Sequence, residues 1–267
     1  MTTALRDRTI AGSTLELRGV ARSYGNVPAV RDVSFSLQPG EICGYLGANG
    51  CGKTTTLRMV AGLLPPTSGN IFYDGQSIHA DLPGYREVMG YVPEEPYLYS
   101  HLSGTEYLEL VGGLRRLPAT AVRRRIEVAL GTLGLSGSRD APISTYSKGM
   151  KQKILLAAAL LHDPEVLILD EPLSGLDVNA VQLVHHLFRQ LAERGRIVLY
   201  SSHILEVVER LCNRVIVLHQ GRVVADAPVT RLRELLQAPS LDAAFAQLTA
   251  RRDPEADARA LVKALAE

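Results

Sequence analysis

The residues best suited to chemistry lie in one short segment. Gly47-Ala48-Asn49-Gly50-Cys51-Gly52-Lys53-Thr54 satisfies every fixed position of G-x-x-x-x-G-K-[ST]. Glycines at these positions let successive backbone N–H groups curl around phosphate oxygens, and a following helix would add its positive N-terminal dipole. Lys53 is placed to reach a β- or γ-phosphate, the Thr54 hydroxyl to ligate Mg²⁺, and Thr55 extends the loop along the same phosphates. A second candidate is the apolar run Val166-Leu167-Ile168-Leu169, which ends in Asp170-Glu171. Two carboxylates at the end of a buried strand can hold a hydrated cation (Asp170) and polarise an attacking water (Glu171). Cys51 sits beside Lys53 and ahead of a helix N-terminus. Both features favour the thiolate, so it is expected to be the most reactive of three cysteines and to be shielded by bound nucleotide.

These segments need particular elements around them. Thr14–Gly19 and Val33–Leu37 alternate as half-buried strands do, and Glu41–Leu46 is a core strand running into the glycine loop. From Lys53 to Leu64 the spacing is helical until Pro65-Pro66, and Ile71–Ile78 reads as a hairpin around Asp74-Gly75. Residues 103–135 have long helical periodicity, and Ser147–Leu161 is a helix ended by Asp163-Pro164. Strand-like runs at Val166–Leu169, Ile197–Tyr200 and Val215–Leu218 alternate with helices. That order predicts an α/β fold with a mostly parallel sheet covered on both faces. Residues 240–267, punctuated by Pro239 and Pro254, read as a short helical tail.

Composition removes several classes of function. With 46% of 267 residues apolar and 21% charged, the chain can bury a sizeable core. Lys+Arg 29 against Asp+Glu 28 leaves a net charge of +1, which provides no overall field for nucleic acid or anionic lipid. The longest stretch without a charged residue, Met59–Tyr73, is broken by Gly62, Pro65, Pro66 and Gly69, and a membrane span needs about 20 apolar residues. The first eight residues have no apolar core of a signal peptide. Cys43, Cys51 and Cys212 form no metal-type cluster and point to a reducing compartment. Lysine is scarce, yet Lys148, Lys151 and Lys153 fall within six residues.

Five segments, in order, resemble the nucleotide-binding subunits of ATP-binding cassette (ABC) transporters over about residues 14–226. Tyr24 precedes the phosphate loop, where the family has an aromatic that stacks on adenine. Tyr91-Val92-Pro93-Glu94 resembles the Q-loop, with Glu94 in place of the usual glutamine. Tyr146-Ser147-Lys148-Gly149-Met150 resembles the signature LSGGQ, with Lys148 for its first glycine and Met150 for its glutamine. Ser174-Gly175-Leu176-Asp177 matches the D-loop, and His203 after Ser201-Ser202 matches the switch histidine. The signature is absent from other phosphate-loop classes, so the resemblance is specific.

The resemblance implies a phosphate-loop NTPase core, a helical subdomain and a small N-terminal antiparallel β subdomain. It assigns residues 14–235 to the ATPase domain, with the helical part near 96–160, and 236–267 to the tail. That tail could pack on a dimer, bind a partner or be loosely ordered. ATP is the implied ligand, gripped by Ser147, Gly149 and Asp177 of an opposite subunit, with Mg²⁺ near Thr54, Glu94 and Asp170. Lys53, Glu171 and His203 are the implied catalytic residues. Transmembrane permease subunits and a second ATP-binding subunit, identical or paralogous, are the implied partners, at the cytoplasmic face of a cell membrane. The departures at Glu94 and Lys148 resemble export-type cassettes. Five tyrosines at 85, 91, 97, 99 and 107 suggest a groove that receives a helix of the permease. The alternative is a soluble ABC-type ATPase acting on ribosomes or DNA. Such proteins pair two cassettes in one chain or split one with coiled coil, and neither pattern is present here.

Overall fold

Each central strand divides its side chains between two cores, and this alternation organises the molecule. The computed structural model describes residues 13–235, together with Ser240, Leu241, Ala243, Phe245 and Ala246. Strands β3 (Ile42–Gly47), β7 (Val166–Asp170), β8 (Ile197–Ser201) and β9 (Arg214–His219) form the middle of a six-stranded sheet. On one face Cys43, Tyr45, Ile168, Leu199 and Ile216 meet a first core; on the other Leu46, Leu169, Tyr200 and Val217 meet a second. Strand β6 (Met89–Val92) closes one edge and β10 (Arg222–Pro228) the other. The order is β10-β9-β3-β8-β7-β6, parallel throughout except for the antiparallel β10. Strands buried on both faces read as unbroken apolar runs, which is why the sequence exposes them.

The first core lies between this sheet and a smaller one. Strands β1 (Leu15–Tyr24), β2 (Val27–Leu37), β4 (Ser68–Tyr73) and β5 (Gln76–Ser77) form an antiparallel sheet of order β2-β1-β4-β5. Helix α1 (Lys53–Val60) packs into the same core through Leu57, Met59 and Val60. It ends four residues before the expected Leu64. Gly62, at φ +64, turns the chain in a left-handed step that a glycine takes without strain, so the prolines are not what stops it. The hairpin at Asp74-Gly75 is as expected, with both residues at positive φ (50° and 71°), as a type I′ turn requires.

The second core takes helices α6 (Val178–Glu193), α7 (Leu205–Leu211) and α8 (Val229–Leu235), plus Leu155 and Leu156 of α5 (Lys148–Leu160). Helix α2 (Leu82–Val88) leads into β6. The long periodic stretch at 103–135 is two helices, α3 (Gly104–Leu114) and α4 (Ala119–Thr132). Arg116 at φ 55 and Pro118 at the N-cap break it, a turn that amphipathic spacing does not reveal. Leu108, Ile126, Leu130, Ile143 and Ile154 gather α3, α4 and α5 around a third, separate core. The expected tail at 236–267 lies outside the described residues except for the five positions above. Of these, Leu241 is buried and Phe245 packs on the second core.

Where α5 meets β6, His162 is mostly enclosed, with Nε2 3.0 Å from the Met89 carbonyl oxygen and Nδ1 without a partner. Burial, and then the nearby Arg115, push its pKa down to about 4 from the ordinary value near 6.5. The unfolded chain therefore binds this proton first as pH falls. The stability that neutral His162 contributes is complete above about pH 6.5 and is lost as pH drops toward 4. In urea unfolding at pH 7 and pH 5, His162→Gln is expected to lose less stability between the two than the parent protein does. Equal losses would show that His162 does not titrate in this way.

Candidate functional site

The phosphate loop leaves the C-terminal end of β3 and is pressed against its neighbours at two glycines. A Cβ on Gly47 would lie 2.3 Å from Cys51 Sγ and 2.5 Å from the Leu218 carbonyl oxygen; one on Gly52 would lie 2.5 Å from the Ala29 carbonyl oxygen. These distances forbid a side chain at either position. Gly52, at φ 108, precedes α1 without a side-chain cap, so the first N–H groups of the helix stay open toward the cleft. Lys53 is buried and donates from Nζ to the carbonyl oxygens of Gly47 (2.6 Å) and Ala48 (3.2 Å). An ammonium held only by carbonyls stands ready for phosphate oxygens.

Register brings the carboxylates to the same edge. Asp170 at the end of β7 pairs with Ser201 of β8, which in turn pairs with Tyr45 of β3. The resulting cleft, of about 310 Å³, is lined by Asn49, Gly50, Gly52, Lys53, Thr54, Thr55, Glu94, Asp170 and Glu171, and by Ala29 from β2. Burial pushes the carboxyl groups of Asp170 and Glu171 up; the Thr54 hydroxyl opposes it at Asp170 and His203 at Glu171. Glu171 takes φ 48, a left-handed conformation costing a branched-free side chain about 1 kcal/mol or more. That turn aims Oε2 at His203 Nδ1, 2.9 Å away, while His203 itself is mostly exposed. The pair can orient a water and receive its proton.

The same cleft fits a divalent cation brought in with phosphates. Asp170 Oδ2 is buried without a hydrogen-bond partner, and a water on a hard cation would satisfy it; the Ser201 hydroxyl lies beside the same carboxyl group. Among the described residues, no three His, Cys, Asp or Glu side chains converge closely enough to hold a metal by themselves. Glu94 is exposed at the rim of this cleft, which it lines together with Thr54 and Asp170. Sequence reasoning missed Ser201 and Ala29. A polar Ser-Ser pair closing an apolar strand was the available signal for the first; the second touches the loop only through the fold.

The signature segment is elsewhere. Ser147 caps α5, its Oγ accepting from Met150 N at 3.2 Å, and Tyr146 is buried with its hydroxyl on the Ser138 carbonyl oxygen (2.6 Å). Gly149 lies against the D-loop: a Cβ there would stand 2.3 Å from the Gly175 carbonyl oxygen. Asp177 caps α6 through Ala180 N (2.9 Å) and faces Lys153 at 3.6 Å. None of these residues lines the cleft, and neither does Tyr24, which is exposed at the end of β1 under the Arg22 guanidinium.

The profile of the ABC transporter family matches residues 30–174, from β2 through the D-loop serine. The chain belongs to the ABC transporter family. It is 35% identical over 239 residues to the ABC-type transporter ATP-binding protein EcsA of Bacillus subtilis (strain 168), covering 89% of this chain and 97% of that one. It is 38% identical over 220 residues to the Nod factor export ATP-binding protein I of Paraburkholderia xenovorans (strain LB400), covering 82% and 72%. A solved structure described as the ATP-binding subunit of an ABC transporter superposes with a TM-score of 0.82 at 33% identity, covering 88% of this chain and 98% of that one. This cassette is accordingly the ATP-binding subunit of an ABC transporter, and an ATPase.

Cys51 corrects one expectation. Its side chain is only 6% exposed, folded under the loop against Gly47. Burial pushes the thiol pKa up, and the Lys53 charge recovers only part of the shift. Cys43 and Cys212 are buried and raised as well. The native cassette is therefore expected to react slowly with maleimide at all three cysteines, with rapid labelling only in urea. Mass spectrometry of labelled peptides checks this; fast, ATP-protected labelling of native Cys51 would restore the reactive thiolate.

Proposed function

We propose that this cassette powers export through separate membrane-spanning subunits, docked on the cytoplasmic face of a cell membrane. ATP would bind with Mg²⁺ between two cassettes arranged head to tail. The observation that carries the reading is the separation of the two half-sites: the chain has one phosphate cleft and one signature segment, and the signature lines no part of its own cleft. A second copy, or a paralogue, would supply Ser147, Gly149 and Asp177 to nucleotide held on Lys53, Thr54 and Thr55. Tyr24 would stack on adenine. The catalytic domain would run from 14 to 235, with residues 96–160 as its helical part.

In this arrangement Thr54 and a water under Asp170 would hold Mg²⁺, which supplies charge neutralisation at the phosphates, with Glu94 acting through solvent. Glu171 would orient a water and take its proton as the water oxygen bonds to the γ-phosphorus. The bond to the β–γ bridging oxygen breaks, leaving ADP and phosphate. His203 would fix the Glu171 carboxylate, and Lys53 would offset charge on the departing oxygen.

A groove of about 590 Å³ between α2, β6 and the helical part supports a permease contact. Tyr91, Tyr97 and Tyr107 line it, along with Leu114 and Arg115. Two of the five expected tyrosines do not. Tyr85 is buried against Tyr73, and Tyr99 instead stands beside Tyr107, ring centres 6.3 Å apart. Among the described residues no helix is long and apolar enough to cross a membrane, so any coupling to transport would pass through such a contact. Export is favoured by the departures at Glu94 and Lys148 and by the similarity to a Nod factor export ATP-binding protein.

Glu171→Gln is expected to keep ATP binding while turnover falls about 10²–10⁴-fold. Light scattering should then find an ATP-dependent dimer accumulating. Loss of nucleotide binding along with turnover would make Glu171 a structural residue and remove it from the mechanism.

A further inference from the structure

The two clearest departures from the family pattern have opposite charges, and neither is neutralised within its own fold. Glu94 stands exposed on the rim of the cleft, adding a third carboxylate to Asp170 and Glu171 against the single ammonium of Lys53. No hydrogen bond or ion pair to the rest of the described chain engages it. Bound ATP would deepen this negative excess.

Lys148 presents the mirror situation. It is the first residue of α5, exposed, in a first turn without an acidic residue. A cation there opposes the helix dipole, and Lys151 one turn on repels it. Lys153 has Asp177 at 3.6 Å, whereas the described chain gives Lys148 and Lys151 no ion pair. The stem of Lys148 runs over Gly175: Cγ and Cδ lie 3.2 and 3.3 Å from where a Cβ on that glycine would be. The close approach that demands glycine falls at 149, where the Gly175 carbonyl leaves no room, so position 148 is free to bear a long side chain. This chain spends that freedom on a positive charge.

We propose that, in the ATP-bound pair of cassettes, Lys148 of each copy lies against Glu94 of the other, an intermolecular ion pair that closes each nucleotide site. The proposal rests on the head-to-tail reading above, and the fitting partner is a second copy of this chain. Acidic cleft and basic signature end are complementary surfaces of one molecule, which is the condition for a self-matched pair of sites. The two departures then form one device: each alone would leave an uncompensated charge at the interface.

A double-mutant cycle tests it. In the Glu171→Gln protein at saturating Mg-ATP, dimer dissociation is measured by sedimentation with Lys148→Ala, Glu94→Gln and both together. Lys148→Ala is expected to weaken the dimer about tenfold when Glu94 is present, a coupling in the range of close interfacial charge pairs. It should weaken the dimer less than twofold when residue 94 is glutamine, and the difference should shrink in 0.5 M salt. Equal weakening in both backgrounds, or none in either, overturns the ion pair. Lys148→Ala should leave thermal unfolding and the affinity of the monomer for a fluorescent ATP analogue unchanged; a loss of either would make Lys148 structural and also overturn it. Ser147→Arg separates the two readings. If it dimerises as well as its parent, or if the parent does not dimerise with ATP, the head-to-tail arrangement fails and the ion pair falls with it.

Discussion

A lysine ammonium at the edge of a parallel sheet, almost out of water and held only by two carbonyl oxygens, is the constraint around which this cassette is arranged. Lys53 is 9% exposed, and its two hydrogen bonds go to the loop that would otherwise wrap phosphate. A buried cation without an ionic partner is costly, and an incoming phosphate relieves that cost by replacing weak acceptors with charged ones. The glycines at 47 and 52 are consequences of the same demand. They bring the loop within contact of β9 and β2, which fixes where the ammonium points.

Electrostatics then passes from the lysine to the carboxylates. Burial raises Asp170 and Glu171, and a strained backbone at Glu171 turns its side chain toward His203. A group held in an unfavourable φ persists only where the surroundings over-determine it, and here they do. The Glu171 N–H bonds to the Ser201 carbonyl, and its own carbonyl accepts from Ser174. The end of the neighbouring strand β8 and the D-loop are thereby tied to one residue. Because Gly149 packs on Gly175, the signature end of α5 is anchored to that same turn.

The helical part has its own core, and α5 belongs to both: Ile154, Ala157 and Leu161 face that core while Leu155, Leu156 and Ala159 pack on the sheet. Leu98 borders both the second and third cores, and the tyrosine-lined groove opens along this seam. Arg115 bridges it, donating to the carbonyl oxygens of Arg86 and Met89.

The linear sequence alone determined the phosphate loop, the acidic strand end, the signature and the order of buried strands. Each is a local pattern: fixed spacing around glycine, an apolar run ending in charge, a serine ahead of a helix. It also determined the α/β class, because strands buried on both faces leave unbroken apolar runs. Tertiary structure decided the rest. Strand β6 is short and interrupted by Gly90, β10 alternates exposed and half-buried residues as an edge strand, and neither shows until its neighbour in the sheet is known. The end of α1 follows a left-handed glycine, and the split of 103–135 follows Arg116 and Pro118, choices set by where the chain must turn back onto a core. Cys51 shows the limit most clearly. Its neighbours in sequence, a lysine and a helix N-terminus, favour a thiolate, yet the fold tucks the sulfur beneath Gly47, and desolvation outweighs both because it acts on the whole charge while they are partly screened.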